Sequence, residues 1–479
     1  MTNSVRVRFA PSPTGFMHLG NVRAALINYL FAHNKKGTFI LRIEDTDQNR
    51  NFDPNAQQII ADLHWLSLSY QEGPQVGGPH APYYQSQRNS IYQAKLQILQ
   101  DKKAVYRCFC TEEELDVKRQ RQIALKKPPR YDRTCLKLSV DTIKTKLEQK
   151  IPFIWRVQLD QSKIYEIHDM GHGIIKFDMS NFSDFPITRA DGSYTFIFAN
   201  FVDDMVMQIS HVMRGEDHMT NTASQAAMYD IFGVPLPTFW HLPIICNTEG
   251  KKLSKRDFGF SLGDLREAGY LPEAICNYLA IIGTSFEQEI MSLEQLSTQY
   301  NFENVSSAGY IRYDVEKLSW VNRKWLATYD PAQLTDLCLP YLTAAYPQIA
   351  TMEKQTVTRL IQAIKTELTT LKDVVDILKF YFQAPMLSIS DFSNVIAREQ
   401  AISLRTMVLN EMGLLGEPEK FMEVLKKHCT THKINHKDLY AWLRLALMGT
   451  TKGPSIKELI EILGIKEAAR RIVESPASN

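Results

Sequence analysis

The sequence has 479 residues, a length that exceeds one hydrophobic core and predicts about three domains. Hydrophobic residues make up 44% of it and charged residues 23%, which excludes a largely disordered chain, a coiled-coil rod and a collagen. The 55 Lys and Arg nearly balance the 53 Asp and Glu, so contact with a nucleic acid would need a local basic patch. No apolar run is long enough to span a membrane, and residues 1–15 lack the apolar core that a signal peptide would have. The odd number of cysteines, 7, argues against a disulfide scaffold, and a cytoplasmic protein is expected.

The first part of the chain mixes short apolar runs with helical patterns, which is typical of an α/β domain. Strands are predicted at residues 5–9, 38–43, 153–157 and 174–177. The last part shows the apolar spacing of successive amphipathic helices. Those helices are predicted at residues 356–367, 370–382, 420–428, 437–447 and 455–463. The change of pattern places a domain boundary near residues 320–325.

The order strand–loop–helix–strand over the first 45 residues predicts half of a doubly wound nucleotide fold. Neither glycine-rich phosphate motif of such folds is present. The loop instead places His18 and Gly20 just before the helix, whose N-terminal N–H groups and positive dipole end favour an anion. A lone histidine is more often a capping or core residue, so this signal is weak by itself.

A second candidate phosphate site is the basic stretch at residues 251–256, KKLSKR, which has glycines on both sides. Its cations could neutralise charge on a phosphorus under attack, although a run of charges is more often a solvated loop. For the basic stretch at residues 118–133, a phosphate-contacting loop and a solvated loop are equally good interpretations.

Taken together, these segments resemble the two signatures of class I aminoacyl-tRNA synthetases. The signatures are His18-Leu19-Gly20-Asn21 and Lys252-Leu253-Ser254-Lys255-Arg256. Further motifs resemble bacterial-type glutamyl-tRNA synthetases and come in that family's order: residues 8–15, 42–47, 82–88, 202–204, 214–218, 269–274 and 277–279. The resemblance covers residues 5–325 closely, and residues 326–479 by length and helical character.

The resemblance implies a glutamate–tRNA ligase. In that family L-glutamate and ATP, with Mg²⁺, form glutamyl-adenylate, and the glutamyl group then passes to the terminal adenosine of tRNA-Glu. The substrate carboxylate is itself the nucleophile, so positioning and charge stabilisation can carry the reaction. The resemblance also implies that tRNA is required before the adenylate forms, and a monomer is expected.

The implied architecture is an α/β fold: a doubly wound, Rossmann-type catalytic domain with an inserted acceptor-binding domain, followed by an all-helical anticodon-binding part. The catalytic domain would be split between residues 1–72 and 192–259, around an insertion at 73–191. A helical linker that contacts the tRNA stem would follow at 260–325. Two helical anticodon-binding domains would occupy 326–384 and 385–479.

The resemblance assigns catalytic and ATP-binding roles residue by residue. His18 would contact the ATP phosphates, Lys255 would stabilise the transition state and Lys252 would assist, while Gly20 would leave room for the adenine ring. The ATP-binding residues would be His18, Gly20, Asn21, Asp217, Ser254 and Lys255.

The implied glutamate-binding residues are Arg8, Ser12, Glu44, Phe196, Asn200 and Arg214. Arg214 would take the side-chain carboxylate, because the planar fork of arginine suits that group, and Arg8 would lie in the same pocket. Glu44 would accept from the α-ammonium. Without the resemblance, salt bridges at the pocket rim are an equally good interpretation of Arg8 and Glu44.

Two positions depart from the family pattern. The family usually has Pro-x-Tyr in the strand after residues 191–193, but here the tyrosine position is Phe196, and Tyr194 would point to the opposite face of a regular strand. The segment with Cys108, Cys110 and Cys135 resembles the zinc element of some members, in which a histidine often stands where this chain has Lys137. Tyr131 is then the candidate fourth Zn²⁺ ligand, and three reduced cysteines near a loop are an equally weighted alternative.

Three competing functions stay open at this stage. A truncated relative that glutamylates a tRNA base would lack the helical C-terminal part, and glutaminyl-tRNA synthetase would be expected to end in β-barrels. A non-catalytic tRNA-binding paralogue would be expected to have lost His18 or Lys255, and both are present. Arginine is common near residues 365–372 in members that charge only tRNA-Glu. Here Lys365, Glu367 and Lys372 occupy that stretch with no arginine, which leaves open a relaxed enzyme that also charges tRNA-Gln.

Overall fold

The computed structural model describes residues 4–13, 15–47, 51–53, 55–254, 256–284, 286–303, 309–411, 413–414 and 417–475. The chain forms two compact units: Met1–Asp264 with Cys276–Asp314, and Leu265–Ile275 with Val315–Asn479. The five-part division expected from the sequence is finer than this and stays a prediction. Within the described ranges, none of the helices combines the length and the apolar character needed to cross a membrane.

All described strands lie in the first unit. They are β1 (Arg6–Phe9), β2 (Thr38–Leu41), β3 (Val105–Cys108), β4 (Ile154–Val157), β5 (Ile164–Asp169), β6 (Gly173–Asp178), β7 (His211–Gly215), β8 (Thr238–Leu242), β9 (Ile245–Cys246) and β10 (Ile311–Arg312). Helices up to residue 299 are α1 (Leu19–Asn34), α2 (Gln57–Trp65), α3 (Asn89–Asp101), α4 (Glu112–Ala124), α5 (Val140–Glu148), α6 (Phe196–Val206), α7 (Met219–Phe232), α8 (Leu262–Glu267), α9 (Pro272–Ile281) and α10 (Leu293–Gln299). The later helices are α11 (Val315–Thr328), α12 (Pro331–Ala345), α13 (Lys354–Ile364), α14 (Asp373–Ile377), α15 (Lys379–Phe382), α16 (Ile389–Ser393), α17 (Arg398–Asn410), α18 (Pro418–Thr431), α19 (His436–Met448), α20 (Ile456–Leu463) and α21 (Ile465–Glu474).

Parallel strands create a switch point in the first unit. β1 pairs in parallel with β2, with Arg6 opposite Thr38, and β7 pairs in parallel with β8, with His211 opposite Thr238. Ser210, immediately before β7, donates its N–H to the Arg6 carbonyl, so β7 lies beside β1. The chain leaves β1 through α1 towards β2 on one side, and leaves β7 through α7 towards β8 on the other. Doubly wound folds bind their ligands at such a point, beyond the carboxyl ends of the strands.

A hairpin from the inserted segment extends the sheet. β5 and β6 pair antiparallel, with Ile164 opposite Asp178, and β5 also meets β8 in parallel, with Asp169 opposite Phe239. The four-stranded sheet therefore has the order β6-β5-β8-β7. Through β8, the hairpin is joined to the strands that border the switch point.

Helix α1 begins at a histidine cap. The His18 backbone is extended, with φ −86° and ψ 163°, and its ring Nδ1 accepts the Asn21 N–H at 3.3 Å. The Asn21 side-chain oxygen accepts the His18 N–H in return, at 3.4 Å. This reciprocal box satisfies N–H groups that a helix start otherwise leaves free.

The strand expected at residues 194–196 is wrong from Phe196 onward. Thr195 is the extended N-cap of α6, and its carbonyl accepts the Ala199 N–H. Every residue from 198 to 204 is buried, including the polar Asn200, Asp203 and Asp204. Because no exposed face alternates with a buried one, hydrophobic periodicity does not separate a helix from a strand here.

The core of the first unit fixes α6 in place. Phe198, Phe201 and Val202 pack in one cluster with residues of α3 and α7. Asn200 and Asp204, one helical turn apart, are also buried, and Asn200 lines a pocket at the switch point. Apolar packing of α6 therefore presents two polar side chains to the site.

Four of the helices predicted in the second unit are present as α13, α18, α19 and α20. The fifth, expected at residues 370–382, is two shorter helices, α14 and α15. Tyr346 donates its hydroxyl to the Val375 carbonyl at 2.7 Å. In a continuous helix that carbonyl would also accept the Lys379 N–H, and here it accepts a tertiary hydrogen bond close to the point where α14 ends.

Candidate active site

A pocket of about 430 Å³ lies at the switch point, between the loops that follow β1 and β7. This is the size of a small-molecule site. Most of the site residues predicted from the sequence line it: Arg8, Ser12, His18, Gly20, Asn21, Glu44, Phe196, Asn200, Arg214, Asp217 and Lys252. Ser254 does not line it, and Lys255 lies outside the described residues.

His18 combines the capping interpretation with the ligand-binding one. Because its Nδ1 accepts the Asn21 N–H, the neutral ring carries its proton on Nε2. Burial, together with the nearby Lys252 ammonium, lowers the pKa of His18. The pocket therefore contains a neutral imidazole with an Nε2–H donor at the N-terminus of α1.

Gly20 makes room for that imidazole. A Cβ built at this position would lie 3.0 Å from both Cε1 and Nδ1 of His18. This is tighter than ordinary side-chain packing, so a larger residue would push the ring off its cap. The expected space for an adenine ring stays a prediction.

The second signature supplies one charged side chain to the pocket among the described residues. Lys252 Nζ lies 3.0 Å from Asp217 Oδ2, and both side chains are about half exposed. Ser254 donates its N–H and its hydroxyl to Asp257 Oδ2, at 2.8 and 2.9 Å. A polyanionic ligand would therefore compete with Asp217 for the Lys252 ammonium.

Arg8 and Glu44 each form an ion pair with another residue inside the site, and neither lies at the pocket rim. Arg8 is 3% exposed and Glu44 6%. Arg8 Nε lies 3.0 Å from Asp204 Oδ1, while Arg42 bridges Asp204 at 2.7 Å and Glu44 at 3.0 Å. Although the two arginines favour its anion, burial raises the pKa of Glu44 overall.

Arg214 has its donors divided between the protein and the pocket. Its Nη2 donates to Thr222 Oγ1 and to Gln225 Oε1, both at 2.7 Å. Its Nε and Nη1 are buried and have no hydrogen-bond partner among the described residues. Burial, and then the nearby Arg8 guanidinium, lowers the pKa of Arg214 to about 10. A buried cation with unsatisfied N–H groups at a pocket wall favours an anionic ligand.

A pair of amides connects Arg214 with Glu44. Gln225 accepts from Arg214 and donates from Nε2 to Asn200 Oδ1 at 2.6 Å. Asn200 in turn donates from Nδ2 to Glu44 Oε1 at 2.6 Å. The cation at one end and the carboxylate at the other fix the orientation of both amides.

Sequence reasoning missed several of these residues. Thr222 and Gln225 lie in the first two turns of α7, three residues apart and thus on one face, directly after the motif that contains Arg214. That spacing was the available signal. Arg42 and Asp204 lie within quoted motifs, but nothing in the sequence showed that they pair across 162 positions.

Comparison with known proteins decides the family. A model for class I tRNA synthetases (E and Q), catalytic domain, matches residues 4–320, and an anticodon binding domain matches residues 333–475. The chain is 35% identical to the glutamate–tRNA ligases of Carboxydothermus hydrogenoformans and Bacillus subtilis, over 98% of its own length and 99% of theirs. The chain belongs to the class I glutamyl-tRNA synthetases.

Solved structures of this family agree with the fold. A glutamate tRNA ligase from Elizabethkingia meningosepticum, crystallised in complex with its amino acid, superposes with a TM-score of 0.87. The two chains are 32% identical, and the superposition covers 99% of this chain and 100% of the other. The helical part at residues 333–475 disagrees with both the truncated relative and an ending in β-barrels.

Phe196 stands at the glutamyl-tRNA synthetase pocket without a hydroxyl. It lines the pocket, and its ring centroid lies 5.6 Å from that of His218. Tyr194 instead packs edge-on against Tyr92, at 5.4 Å, and against Phe198. The two side chains diverge as expected, although a helix start separates them where a strand was predicted.

Three cysteines of the inserted segment form a cluster apart from the pocket. The Sγ atoms of Cys108, Cys110 and Cys135 all lie within 4.8 Å of one another, and the hydroxyl of Tyr131 is 3.3 Å from Cys108 Sγ. Although burial raises it, hydrogen bonds from Tyr131 and Arg156 bring the pKa of the Cys108 thiol below its usual value. All seven cysteines are free thiols.

Proposed function

We propose that this glutamyl-tRNA synthetase forms glutamyl-adenylate in the switch-point pocket, with Arg214 receiving the side-chain carboxylate of glutamate. The observation that carries the proposal is the pair of buried nitrogens of Arg214, Nε and Nη1, that lack partners among the described residues. Each such donor costs free energy until a ligand satisfies it. A carboxylate supplies both the acceptors and the missing counter-charge.

Charge balance supports the same assignment. Among the described residues of this part of the site, four buried arginines (Arg8, Arg42, Arg88 and Arg214) lie beside three buried carboxylates (Glu44, Asp203 and Asp204). One buried cation is therefore in excess. The carboxylate of glutamate neutralises it, whereas the amide of glutamine leaves it uncompensated at a cost of about 2–5 kcal/mol.

Glu44 is the proposed acceptor for the α-ammonium of glutamate. Burial raises the pKa of Glu44, so the ionised carboxylate gains from a second cation beside it. Asn200 holds one carboxylate oxygen through its Nδ2. Ser12 and Phe196 complete the wall of this part of the pocket.

The ATP phosphates are proposed to lie beside His18 and the N-terminus of α1. The Nε2–H of His18, the positive dipole end of α1 and the Lys252 ammonium all favour an anion there. Lys252 would exchange its Asp217 partner for phosphate oxygens. Mg²⁺ bound to ATP would supply charge neutralisation there, and the role of Lys255 rests on the sequence alone.

The cysteine cluster is proposed to hold Zn²⁺. Cys110 Sγ lies 3.6 Å from Cys135 Sγ, and ligands in a tetrahedral Zn–S₄ arrangement with bonds of about 2.3 Å would be about 3.8 Å apart. Tyr131 Oη, 3.3 Å from Cys108 Sγ, would be the fourth ligand. In such a closed site zinc stabilises the insertion and takes no part in the reaction.

The proposal also includes relaxed anticodon specificity, that is, charging of tRNA-Gln as well as tRNA-Glu. Lys365 donates to the carbonyls of Ala327 and Tyr329, at 2.8 and 2.5 Å, so its charge is used at the end of α11. Lys372 is exposed and Glu367 is acidic. We expect purified tRNA-Gln to be charged with glutamate; failure to charge any tRNA-Gln isoacceptor would show strict specificity.

Pyrophosphate exchange tests the central proposal. ATP–pyrophosphate exchange is measured with glutamate and with glutamine, with and without tRNA-Glu. We expect tRNA-dependent exchange with glutamate, and kcat/KM at least about thirtyfold lower with glutamine. Arg214→Met should remove that preference. Arg189→Met is the matched control, because among the described residues the Arg189 guanidinium bonds only to Ser193 and Tyr194 of its own loop. Absence of exchange under all conditions would overturn the enzyme assignment.

A further inference from the structure

Arg214 is the first member of a buried hydrogen-bonded chain that leads away from the pocket. Its Nη2 lies 2.7 Å from Thr222 Oγ1, which lies 2.8 Å from His241 Nε2. His241 Nδ1 lies 2.7 Å from Asp169 Oδ2. Arg214 is 7% exposed, and the other three are at most 1% exposed.

The sheet register brings the members of this chain together. Arg214 of β7 and His241 of β8 are direct partners in the parallel pair. Asp169 ends β5, opposite Phe239, which lies two residues before His241 on the same face of β8. The Phe239 and His241 rings are parallel, and Phe239 also lies under the Arg214 guanidinium, at 5.8 Å.

The acceptors fix which group donates and which accepts at each hydrogen bond between Arg214 and Asp169. An ionised Asp169 can only accept, so the neutral imidazole donates from Nδ1 and accepts at Nε2. The Thr222 hydroxyl must then donate to His241, and its oxygen accepts from Arg214. Each N–H or O–H in this series has a single acceptor, so the position of the Arg214 guanidinium is coupled to the orientation of the His241 imidazole.

Asp169 is itself held rigidly. Its Oδ1 accepts the backbone N–H groups of Gly171 and His172, both at 2.9 Å, and its Oδ2 accepts that of His241 at 3.0 Å. The His172 ring adds a contact at 3.0 Å. The turn between β5 and β6 therefore fixes the outer end of the chain.

We infer that His241 is a positioning residue for glutamate selection: acting through Thr222, it holds Arg214 with Nε and Nη1 free for the substrate, while Asp169 of the inserted hairpin fixes the imidazole. The inference rests on the proposed role of Arg214. Nη2 has two N–H bonds, which Thr222 and Gln225 use. With both engaged, the guanidinium cannot turn, and the donors left over are those that reach the ligand.

Two variants interrupt the chain at neighbouring steps. His241→Asn keeps a donor for Asp169 but leaves the Thr222 hydroxyl without an acceptor. Thr222→Val keeps the shape of the side chain and removes the hydroxyl. Each is expected to raise KM for glutamate about tenfold or more, because Thr222→Val removes a hydrogen bond to the charged Arg214 and His241→Asn removes the acceptor that orients the Thr222 hydroxyl. KM for ATP should change less than about twofold.

Coupling separates this role from a purely structural one. The double variant His241→Asn/Thr222→Val should have the same KM for glutamate as Thr222→Val, because the two residues act in series. Thr222→Ser should restore the wild-type KM. His211→Asn is the matched control: this histidine of β7 bonds Ser210 at 2.9 Å and has no part in the chain.

The outcomes distinguish the inference from the proposal beneath it. Arg214→Lys should raise KM for glutamate at least as much as Thr222→Val. If Arg214→Lys leaves KM unchanged, the proposed role of Arg214 fails. If Arg214→Lys raises it while Thr222→Val and His241→Asn do not, or if both of these variants raise KM for ATP equally, the inference alone is overturned. Should His241→Asn fail to fold, the Thr222→Val and Thr222→Ser pair decides.

Discussion

Arg42 Nη1 lies 2.7 Å from Asp204 Oδ1, in an ion pair whose two side chains are 0% and 3% exposed. Asp204 also pairs with Arg8 at 3.0 Å, so it is shared by two buried guanidinium groups. Although burial opposes ionisation, the two arginines keep the pKa of Asp204 below its usual value. One carboxylate of α6 therefore connects β1 with the residue that follows β2, beneath the pocket.

Removing that charge should destabilise the first unit. Asp204→Asn keeps the shape of the side chain but leaves Arg8 and Arg42 with less than their counter-charge. The expected loss is about 3–5 kcal/mol of the free energy of unfolding, as for other buried pairs broken on one side. Hydrogen exchange of the α6 and β1 amides measures it. Glu419→Gln, which breaks the exposed pair with Lys457, should have no measurable effect; similar protection in the Asp204→Asn variant and the wild type would contradict the prediction.

The sequence predicted the parts of the site that lie in local motifs. His18 and Gly20 stand at a strand–helix junction whose pattern is visible within one segment, and the structure places both at the pocket. The arginine at position 8 was also found, but its pairing with Asp204, 196 residues away, was not. Pairing at that separation depends on strand order, which no local pattern encodes.

The same limit explains the errors in secondary structure. Phe196 begins a helix buried on all sides, where periodicity gives no signal. The helix expected over residues 370–382 is divided into α14 and α15, and the Val375 carbonyl of α14 accepts a hydrogen bond from Tyr346, the residue that follows α12. In both cases tertiary surroundings decided what propensity and spacing left open.

Acid should weaken the fold through His218. Burial, and then the Arg214 guanidinium, lowers the pKa of His218 from 6.5 to about 4. Between those values the unfolded chain binds a proton that the folded chain does not, so the free energy of unfolding falls as pH drops through this window. Urea unfolding at a series of pH values should therefore show a shallower dependence in His218→Asn. His168→Asn, at an exposed position of β5, should keep the wild-type slope; equal slopes in all three proteins would refute this prediction.

Restoring a hydroxyl at position 196 should help glutamate binding. Phe196 lines the pocket, and its ring already lies beside His218. Phe196→Tyr adds a donor at the ring edge, so activity should be intact or KM for glutamate lower, by up to about tenfold for one hydrogen bond to a charged ligand. Tyr194→Phe, on the opposite side against Tyr92, should leave KM for glutamate unchanged. A large loss of activity in Phe196→Tyr would count against the mapping of this position.

A methyl group at position 20 should disturb ATP and not the fold. Gly20→Ala would place Cβ 3.0 Å from the His18 ring, which must shift and loosen its bond to the Asn21 N–H. Alanine favours helix, so the melting temperature should stay constant or rise, while KM for ATP rises about tenfold with the loss of one oriented donor. At Gly263, in α8, the nearest atom to such a Cβ is Ser261 Oγ at 3.6 Å. Gly263→Ala should therefore leave KM for ATP at the wild-type value, and an unchanged KM in Gly20→Ala would exclude steric control of His18.

Metal analysis distinguishes a zinc site at Cys108, Cys110 and Cys135 from a metal-free cluster of three reduced cysteines. If the cluster holds Zn²⁺, the purified protein should contain about one zinc per chain, and Cys110→Ser or Cys135→Ser should contain almost none, because a tetrahedral site does not survive the loss of a thiolate. Tyr131→Phe should still bind zinc but lose it to a chelator at about tenfold lower chelator concentration. The variant Cys429→Ala, which removes a buried cysteine of α18, should keep the full zinc content.

Chelation should also increase hydrogen exchange in β3 and β4 while glutamate-dependent exchange of pyrophosphate continues, since the cluster lies outside the pocket lining. A wild-type protein that contains no zinc, even when produced with zinc in excess, would establish the cysteines as a reduced packing cluster.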